Sequence, residues 1–193
     1  MRLSQLASAA CSVTFAVATL YVPALAQSAG GMGGMQADSG AKKPLPSPPA
    51  TASVTLAGKQ VTVKYSAPSM RGRKVMGALV PYGTIWRTGA NAATTLITAT
   101  NLKIGTLNVP AGTYTLYTLP SAAQWLLIVN RQTGQWGTVY NMSQDLGRTA
   151  MTSKTLTAPQ ETMSISFENT QGKTTQLHVK WDTTDEYVTV AAQ

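Results

Sequence analysis

Apolar side chains at every second position are the feature that decides what this chain can become. Within residues 61–65 the apolar residues Val61, Val63 and Tyr65 alternate with Thr62 and Lys64. The same period of two recurs near the end of the chain, at Met163, Ile165, Phe167, Leu177, Val179 and Trp181. This period places successive side chains on opposite faces of a strand. Because no segment has a long helical period, the chain is predicted to be all-β.

Turn-forming residues separate the alternating segments at short intervals. Gly, Pro, Asn and Ser suit the backbone angles of tight turns, and they predict turns at residues 57–60, 81–83, 110–112, 120–123 and 131–134. Many short strands with this spacing predict an antiparallel β-sandwich or a jelly-roll-like barrel. Residues 75–80 are expected to form a short helical turn. A bulge is expected near Gly105, within a strand over residues 102–109.

The N-terminus has the pattern of a secretory signal peptide. Arg2 precedes an apolar stretch over residues 6–22, and Ala24-Leu25-Ala26 supplies the small residues of a cleavage site. We predict a signal peptide over residues 1–26, cleaved after Ala26, and export to the periplasm or the cell exterior. An uncleaved anchor and lipidation at Cys11 are the alternatives, but the stretch is barely long enough to span a bilayer and is interrupted by Ser and Thr.

Residues 27–49 are rich in Gly, Met, Ser and Pro, and they predict a flexible, disordered linker. The rest of the chain, residues 50–193, has the length of one domain, so a single β domain is predicted there. No further segment approaches transmembrane length, which predicts no membrane attachment once the signal peptide is removed.

Few residues offer catalytic or metal-binding chemistry. Cys11 is the one cysteine and lies within the predicted signal peptide, so the exported chain has no disulfide and no thiolate. His178 is the one histidine, and the alternation predicts that it lies on the solvated face of a strand. Asp182, Asp185 and Glu186 are predicted to form a solvated turn between the last two strands. The sequence therefore predicts no metal site and no cofactor, and it favours a non-catalytic protein over an enzyme.

Positive and negative charges are unevenly distributed along the chain. Lys and Arg total 15 against 7 Asp and Glu, and no carboxylate occurs between Asp38 and Asp145. A buried arginine in this interval must therefore find a backbone carbonyl, a C-terminal carboxylate or a bound anion. The basic residues form no dense run, so nucleic acid is not expected as a partner.

Arginine and aromatic residues cluster in the middle of the chain and form the candidate binding site. An arginine fork binds carboxylate or phosphate through two parallel hydrogen bonds, and aromatic faces stack on sugars. Together these groups predict a pocket for a small anionic or carbohydrate-like ligand. The candidate ligand-binding residues are Arg71, Arg73, Tyr82, Trp86, Arg87 and Asn91.

Three other interpretations of the same block remain open. In the first, Arg73 and Arg87 hold backbone carbonyls of their own loop and Trp86 belongs to the core. In the second, the protein is a hydrolase acting on envelope material, which requires Glu161, Glu168 or the Asp182 cluster to fold beside this block in a cleft. In the third, the protein is a purely structural or assembly module without a ligand.

Three ordered sequence blocks resemble a known family. VTVKYSAPSMRGRKVMGALVPYGTIWRTGANAATT at residues 61–95, VPAGTYTLYTLP at 109–120 and WLLIVNRQTGQWG at 125–137 are similar to the domain-of-unknown-function family 2911. The resemblance extends over residues 47–190 and implies an exported bacterial protein without an established activity. Relatives often have an acidic residue after the asparagine of the GAN motif, where this chain has Ala92. Chemistry that depends on that carboxylate is therefore not expected.

Overall fold

A computed structural model describes residues 46–193, and ten β-strands form most of this region. The strands are β1 (Pro49–Leu56), β2 (Lys59–Ser66), β3 (Thr94–Thr98), β4 (Leu102–Ile104), β5 (Leu107–Val109), β6 (Gly112–Leu119), β7 (Leu126–Asn130), β8 (Asp145–Ala150), β9 (Thr152–Gln171) and β10 (Thr174–Ala192). One sheet has six strands in the order β1-β2-β3-β6-β7-β8, and the other has four in the order β5-β4-β10-β9. All the strand pairs are antiparallel, which confirms the predicted all-β, sandwich-like fold.

The core lies between apolar faces of the two sheets. Val61 and Val63 of β2 are fully buried, as the alternation predicts, and they share one hydrophobic cluster with Leu177 and Val179 of β10. Burying each such side chain contributes roughly 1.5–3 kcal/mol relative to leaving it exposed. The period of two in the sequence therefore records which face of each strand meets the opposite sheet.

A sharp bend divides the β9–β10 hairpin into two arms. Asp182 pairs with Gln160 and Thr184 with Thr155, so two residues of β10 are matched by five of β9 at this point. Pro159 lies in the unpaired excess of β9, where its missing N–H removes no ladder hydrogen bond. Asp182 itself adopts a left-handed backbone with φ 55°. The bend turns the second arm of β10, residues 183–192, back over the first arm, residues 174–181. Asp185 of the second arm thereby contacts His178 of the first.

Two local predictions differ from the structure. Residues 102–109 form a hairpin of β4 and β5 with Gly105 in the turn, instead of one bulged strand. Gly105 has φ 55°, and a Cβ there would overlap the side chain of Thr149, so both conformation and space require glycine. Residues 75–80 form hydrogen-bonded turns, and the one short helical turn of the described region is a 3-10 turn at Met142–Gln144.

The predicted signal peptide and residues 27–45 of the predicted linker lie outside the described residues. The first strand begins at Pro49. Within residues 46–193 no helix has both the length and the apolar character needed to cross a bilayer.

Candidate functional site

The candidate site lies in the long connection between β2 and β3. These strands are neighbours in one sheet, yet residues 67–93 separate them. The connection is pinned at three places by single bridges: Ser69 with Thr162, Trp86 with Thr118, and Ala92 with Trp136. Connections of this length without regular structure are uncommon in compact domains and usually carry function.

Arg71 and Arg73 are used to hold this connection in place. The Arg71 Nη2 donates to the carbonyl of Pro46 at 3.0 Å, while the Arg71 backbone N–H donates to Glu161 at 2.8 Å. The Arg73 Nε and Nη2 donate to the carbonyls of Met70 and Ser69, both at 2.9 Å. Both side chains are exposed. The contacts of Arg73 match the interpretation in which this side chain holds carbonyls of its own loop, whereas Arg71 bonds to Pro46, which precedes β1.

Asn91 also has a local structural contact on each side. It adopts a left-handed backbone with φ 60°, a conformation that asparagine tolerates well. Its Nδ2 donates to the carbonyl of Ser47 at 3.4 Å, and its own carbonyl accepts from the Gly137 N–H at 3.0 Å. Asn91 thereby joins the connection to the loop that follows β7.

Arg87 differs from the other two arginines because its guanidinium makes no hydrogen bond and no ion pair with any residue of 46–193. The side chain is half-buried, and its Nε is buried without an acceptor. A Cβ at Gly137 would overlap the Arg87 Cδ and lie 2.7 Å from the Asn91 carbonyl. Only glycine at position 137 lets the two loops approach closely enough to enclose the Arg87 stem.

Arg87 and Trp86 line two clefts at once. The larger has a volume of about 400 Å³ and the smaller about 190 Å³. Arg87 is the one charged residue in the lining of the larger cleft. Arg73 and Trp181 join them in the smaller cleft. The structure therefore gathers Arg73, Trp86 and Arg87 of the predicted site residues around two clefts that share Trp86 and Arg87 as lining residues.

Tyr140 brings the other ionisable group of the larger cleft. Its hydroxyl donates to Asp145 at 2.6 Å and accepts from the Arg148 Nη2 at 2.8 Å. Burial, followed by the neighbouring Asp145, raises the pKa of Tyr140 to about 12, so the phenol stays neutral at physiological pH. Asp145 also pairs with Arg148 at 3.0 Å. The larger cleft consequently has an uncompensated positive charge at Arg87 beside a neutral hydroxyl.

Three tryptophans form the wall behind these clefts. Trp86 stacks on Trp181 with ring centroids 6.0 Å apart and meets Trp125 edge-on at 6.1 Å. All three are buried. Trp125 lines a third cleft, of about 210 Å³, together with Tyr82, whose side chain is 47% exposed. Tyr82 thus faces a different hollow from Arg87, and neither Arg71 nor Asn91 lines any of these three clefts.

The prediction that His178 is solvated is wrong. His178 is 2% exposed, its Nδ1 donates to the Asp185 Oδ1 at 2.7 Å, and its ring stacks on Tyr187 at 4.9 Å. The alternation rule assumes that one strand face meets water. Here the bent second arm of β10 covers the polar face of the first arm, so both faces are buried at this position.

Two further charged side chains, both partly exposed, adjoin this buried pair. Lys180 donates to the Glu168 Oε1 at 2.6 Å, and Ser166 donates to the same oxygen at 2.6 Å. Burial by itself raises the pKa of Glu168, but the hydrogen bonds from Lys180 and Ser166 outweigh it and leave the pKa lowered. None of these side chains lines the three clefts described above, and we assign the group to the stability of the hairpin.

The predicted turn at Asp182, Asp185 and Glu186 is also wrong. These residues lie inside β10, and Asp185 and Glu186 are buried. Three acidic residues within five positions are typical of a solvated turn by composition. Burial instead comes from the bend at Asp182, which depends on extra residues in β9 and cannot be read from β10 alone.

Among the three residues of the predicted solvated turn, Glu186 is buried and lies beside a cleft. It is 2% exposed and lines the third cleft. Its Oε1 accepts from the Ser153 hydroxyl at 2.6 Å, whereas its Oε2 is buried and has no partner in the described region. Burial raises the pKa of Glu186 above its ordinary value of 4.5, and the neighbouring Asp185 adds to the rise against the opposing bond from Ser153.

This raised pKa makes the stability of the protein depend on pH in a defined direction. The folded state holds the Glu186 proton more tightly than the unfolded state, so wild type loses stability as pH rises from about 4.5 through the raised pKa. Glu186→Gln has no proton to lose. Its stability relative to wild type is expected to increase over this range by on the order of 1 kcal/mol. Urea unfolding of both proteins at pH 4.5 and pH 8 measures the difference in their free energies of unfolding. If this difference is the same at the two pH values, Glu186 is not a buried group that ionises between them.

No group of three or more His, Cys, Asp or Glu side chains within residues 46–193 is arranged to hold a metal ion.

The fold and these hollows define an all-β, sandwich-like protein whose long β2–β3 connection encloses an arginine–tryptophan cleft. Residues 47–190 match the family described as "Protein of unknown function (DUF2911)", and the chain belongs to this family. The match confirms the resemblance seen in the three sequence blocks. No curated protein and no solved structure matches the chain.

Proposed function

We propose that this protein is an exported, non-catalytic binding protein that takes a small anionic ligand in the cleft at Arg87. One observation carries the proposal: the half-buried guanidinium of Arg87 has no partner among residues 46–193 and lines a cleft of about 400 Å³. A partly buried charge without a partner loses hydration that no protein group replaces. A carboxylate or phosphate group in the cleft compensates for this loss through two charge-assisted hydrogen bonds.

Five of the six carboxylates within residues 46–193 have other partners, and the sixth, Asp182, lines none of the three clefts, which supports an external anion. Asp145 pairs with Arg148, Glu161 accepts from Arg71, Glu168 from Lys180, Asp185 from His178, and Glu186 from Ser153. Half-burial of Arg87 limits screening by water and salt. The Tyr140 hydroxyl on the same cleft wall already donates its one proton to Asp145, so Arg87 is the charged donor that this cleft offers to an anion.

Export supports a role in the envelope or outside the cell. The residues that carry this part of the proposal are the basic and apolar N-terminus and the Ala24-Leu25-Ala26 cleavage site. We place the mature protein in the periplasm or the extracellular space, without attachment to the membrane.

The hydrolase alternative finds one of its requirements met. It needs a carboxyl group beside Tyr82 or Arg87 in a cleft, and Glu186 shares a cleft with Tyr82. Glycoside hydrolysis uses two carboxyl groups on either side of the bond. Glu186 is the one carboxyl group lining that cleft, and the adjacent Asp185 is bonded to His178 on the other face of the strand. Binding without catalysis therefore fits the geometry better.

A binding titration with matched variants tests the proposal. Inorganic phosphate, acetate and citrate are titrated into wild type, Arg87→Ala, Arg87→Lys and Lys103→Ala by calorimetry and thermal shift. A ligand present at 100 times its dissociation constant is expected to add about 2.7 kcal/mol to stability. Arg87→Ala is expected to abolish the effect, and Arg87→Lys to weaken affinity about tenfold or more, because an ammonium cannot form the paired contact.

Lys103→Ala is the control for net charge. Lys103 is exposed on β4 and its removal changes the protein charge by the same amount as Arg87→Ala. The proposal is contradicted if Arg87→Ala binds the anion as tightly as wild type does. It is also contradicted if Lys103→Ala loses as much anion affinity as Arg87→Ala.

A further inference from the structure

The third cleft is lined by Trp125 and does not include Arg87. It has a volume of about 210 Å³ and brings together Tyr82, Trp125, Ser153, Lys154, Thr184 and Glu186. These residues come from the β2–β3 connection, the position just before β7 and the second arm of the β9–β10 hairpin. Its volume is below the roughly 300–1,000 Å³ of sites for drug-sized ligands, so the cleft suits a single small ring.

Glu186 supplies the observation that points to a ligand in this cleft. Its side chain is buried, its Oε1 is used by Ser153, and its Oε2 has no hydrogen-bond partner within residues 46–193. Buried polar groups in folded proteins are almost always paired, so an exception calls for an explanation. An unpaired acidic side chain on the wall of a cleft lowers the stability of the protein. Its presence there indicates that a bound ligand supplies the missing hydrogen bond.

When Glu186 is ionised, the charges around the cleft disfavour a simple ion as the occupant. Glu186 carries the acidic group and Lys154 the basic one, and both line the same small hollow. The Lys154 Nζ lies 4.9 Å from the centroid of the Tyr187 ring, close to the carboxyl-bearing strand. A bound anion meets the carboxylate and a bound cation meets the ammonium. A neutral ligand avoids both repulsions.

The remaining lining favours a ligand rich in hydroxyl groups. A hydroxyl both donates and accepts, so it can pair with the Glu186 Oε2 whether that carboxyl group is protonated or ionised. Ser153 and Thr184 add side-chain hydroxyls, while Tyr82 offers an exposed aromatic face and Trp125 an apolar floor. A sugar ring has hydroxyl groups at its edges and apolar C–H groups on its faces. The polar side chains of the cleft match the edges, and the aromatic side chain matches a face.

We propose that the cleft at Glu186 binds one ring of a neutral sugar, with Glu186 and Lys154 bonded to its hydroxyls and Tyr82 packed on its face. This site is separate from the anion cleft at Arg87, and neither proposal depends on the other. The ring is held by groups of the β9–β10 hairpin on one side and of the β2–β3 connection on the other.

Ligand-observed NMR with simple glycosides tests this site. Methyl β-D-glucopyranoside, methyl β-D-galactopyranoside and methyl α-D-mannopyranoside are titrated against the full chain, with intrinsic tryptophan fluorescence as a second readout. At least one glycoside is expected to bind saturably. Glu186→Leu and Tyr82→Ala are each expected to weaken that affinity tenfold or more, whereas Glu186→Gln stays within about threefold because an amide still donates and accepts.

Two controls keep the outcome decisive. Tyr82 has an exposed side chain, so Tyr82→Ala reports on the site even if Glu186→Leu fails to fold. Arg87→Ala is expected to bind the glycoside as wild type does, since it changes the other cleft. The proposal is overturned if no glycoside binds, if Tyr82→Ala binds as tightly as wild type, or if inorganic phosphate competes for this cleft. A loss of glycoside binding with retained anion binding leaves the Arg87 proposal intact.

Discussion

Trp86→Ala is expected to destabilise the protein by about 3–5 kcal/mol, the range for removing a large aromatic side chain from a core. Trp86 is 8% exposed and contacts Trp181 and Trp125, so its removal leaves a cavity bounded by two rings that cannot collapse into it. Its backbone bonds to Thr118, at 2.8 and 2.9 Å, hold the connection to β6 and survive the substitution. The loss therefore reports on packing, and urea unfolding monitored by circular dichroism measures it.

Trp136→Ala is the matched control for this experiment. It deletes the same side chain at a position that is 57% exposed, and it is expected to change stability by less than about 0.5 kcal/mol. If the two variants lose similar amounts of unfolding free energy, the buried tryptophans do not stabilise the clefts. Trp86→Ala is also expected to abolish anion binding at Arg87, because Trp86 lines both hollows that contain the guanidinium.

Asp185→Ala is expected to cost about 3 kcal/mol or more, since it leaves the buried His178 without its partner. The two side chains are 2% and 6% exposed and their bonded atoms are 2.7 Å apart. Seven residues of straight strand span about 23 Å, so this contact exists only because β10 bends between them. Loss of the pair is expected to weaken the bend as well as the local hydrogen bonding.

Two asparagine variants show whether the stability depends on the charge of Asp185 or on any acidic residue of this part of β10. Asp185→Asn keeps an oxygen that accepts from His178 and is expected to cost less than Asp185→Ala. Asp182→Asn lies on the same strand, in the left-handed conformation that asparagine tolerates, and is expected to leave stability unchanged within about 0.5 kcal/mol. Equal stability of Asp185→Ala and Asp182→Asn in chemical denaturation contradicts a stabilising His178–Asp185 pair.

Alternation along the chain predicts the strands well where one strand face meets water. Residues 61–65 lie in β2 with their apolar side chains in the core, and the apolar positions of 163–167 and 177–181 lie in β9 and β10. The prediction fails at His178 because the rule treats each strand separately. Burial there is produced by another arm of the same hairpin, and the bend depends on unpaired residues around Pro159 in the partner strand.

Part of the candidate site follows from the distribution of charge. The absence of Asp and Glu between Asp38 and Asp145 predicts that arginines in this interval lack local partners, and Arg87 has none in the described region. The sequence does not separate Arg87 from Arg71 and Arg73, because nearby backbone carbonyls satisfy the latter two. Which arginine stays unpaired is decided by the path of the loop. Gly137 marks that path, since its Cβ would overlap the Arg87 stem.

Glu186 shows the same limit for an acidic residue. By composition it belongs to a polar stretch with Asp182 and Asp185, and nothing local distinguishes the three. The structure separates them by strand face: Asp185 turns towards His178, and Glu186 lines the opposite cleft beside Ser153. Only long-range contacts between β9, β10 and the β2–β3 connection create that difference.

The Arg87 Nε–Hε resonance in a ¹H–¹⁵N NMR spectrum gives the most direct view of the unpaired guanidinium. The resonance is assigned by its absence in Arg87→Lys, and inorganic phosphate and acetate are titrated at constant ionic strength. We expect a saturable downfield shift of the Arg87 Hε with at least one anion, while the Arg71 and Arg73 resonances stay in place. An Arg87 resonance that does not respond to any anion, or that moves in parallel with those of Arg71 and Arg73, contradicts an anion site at Arg87.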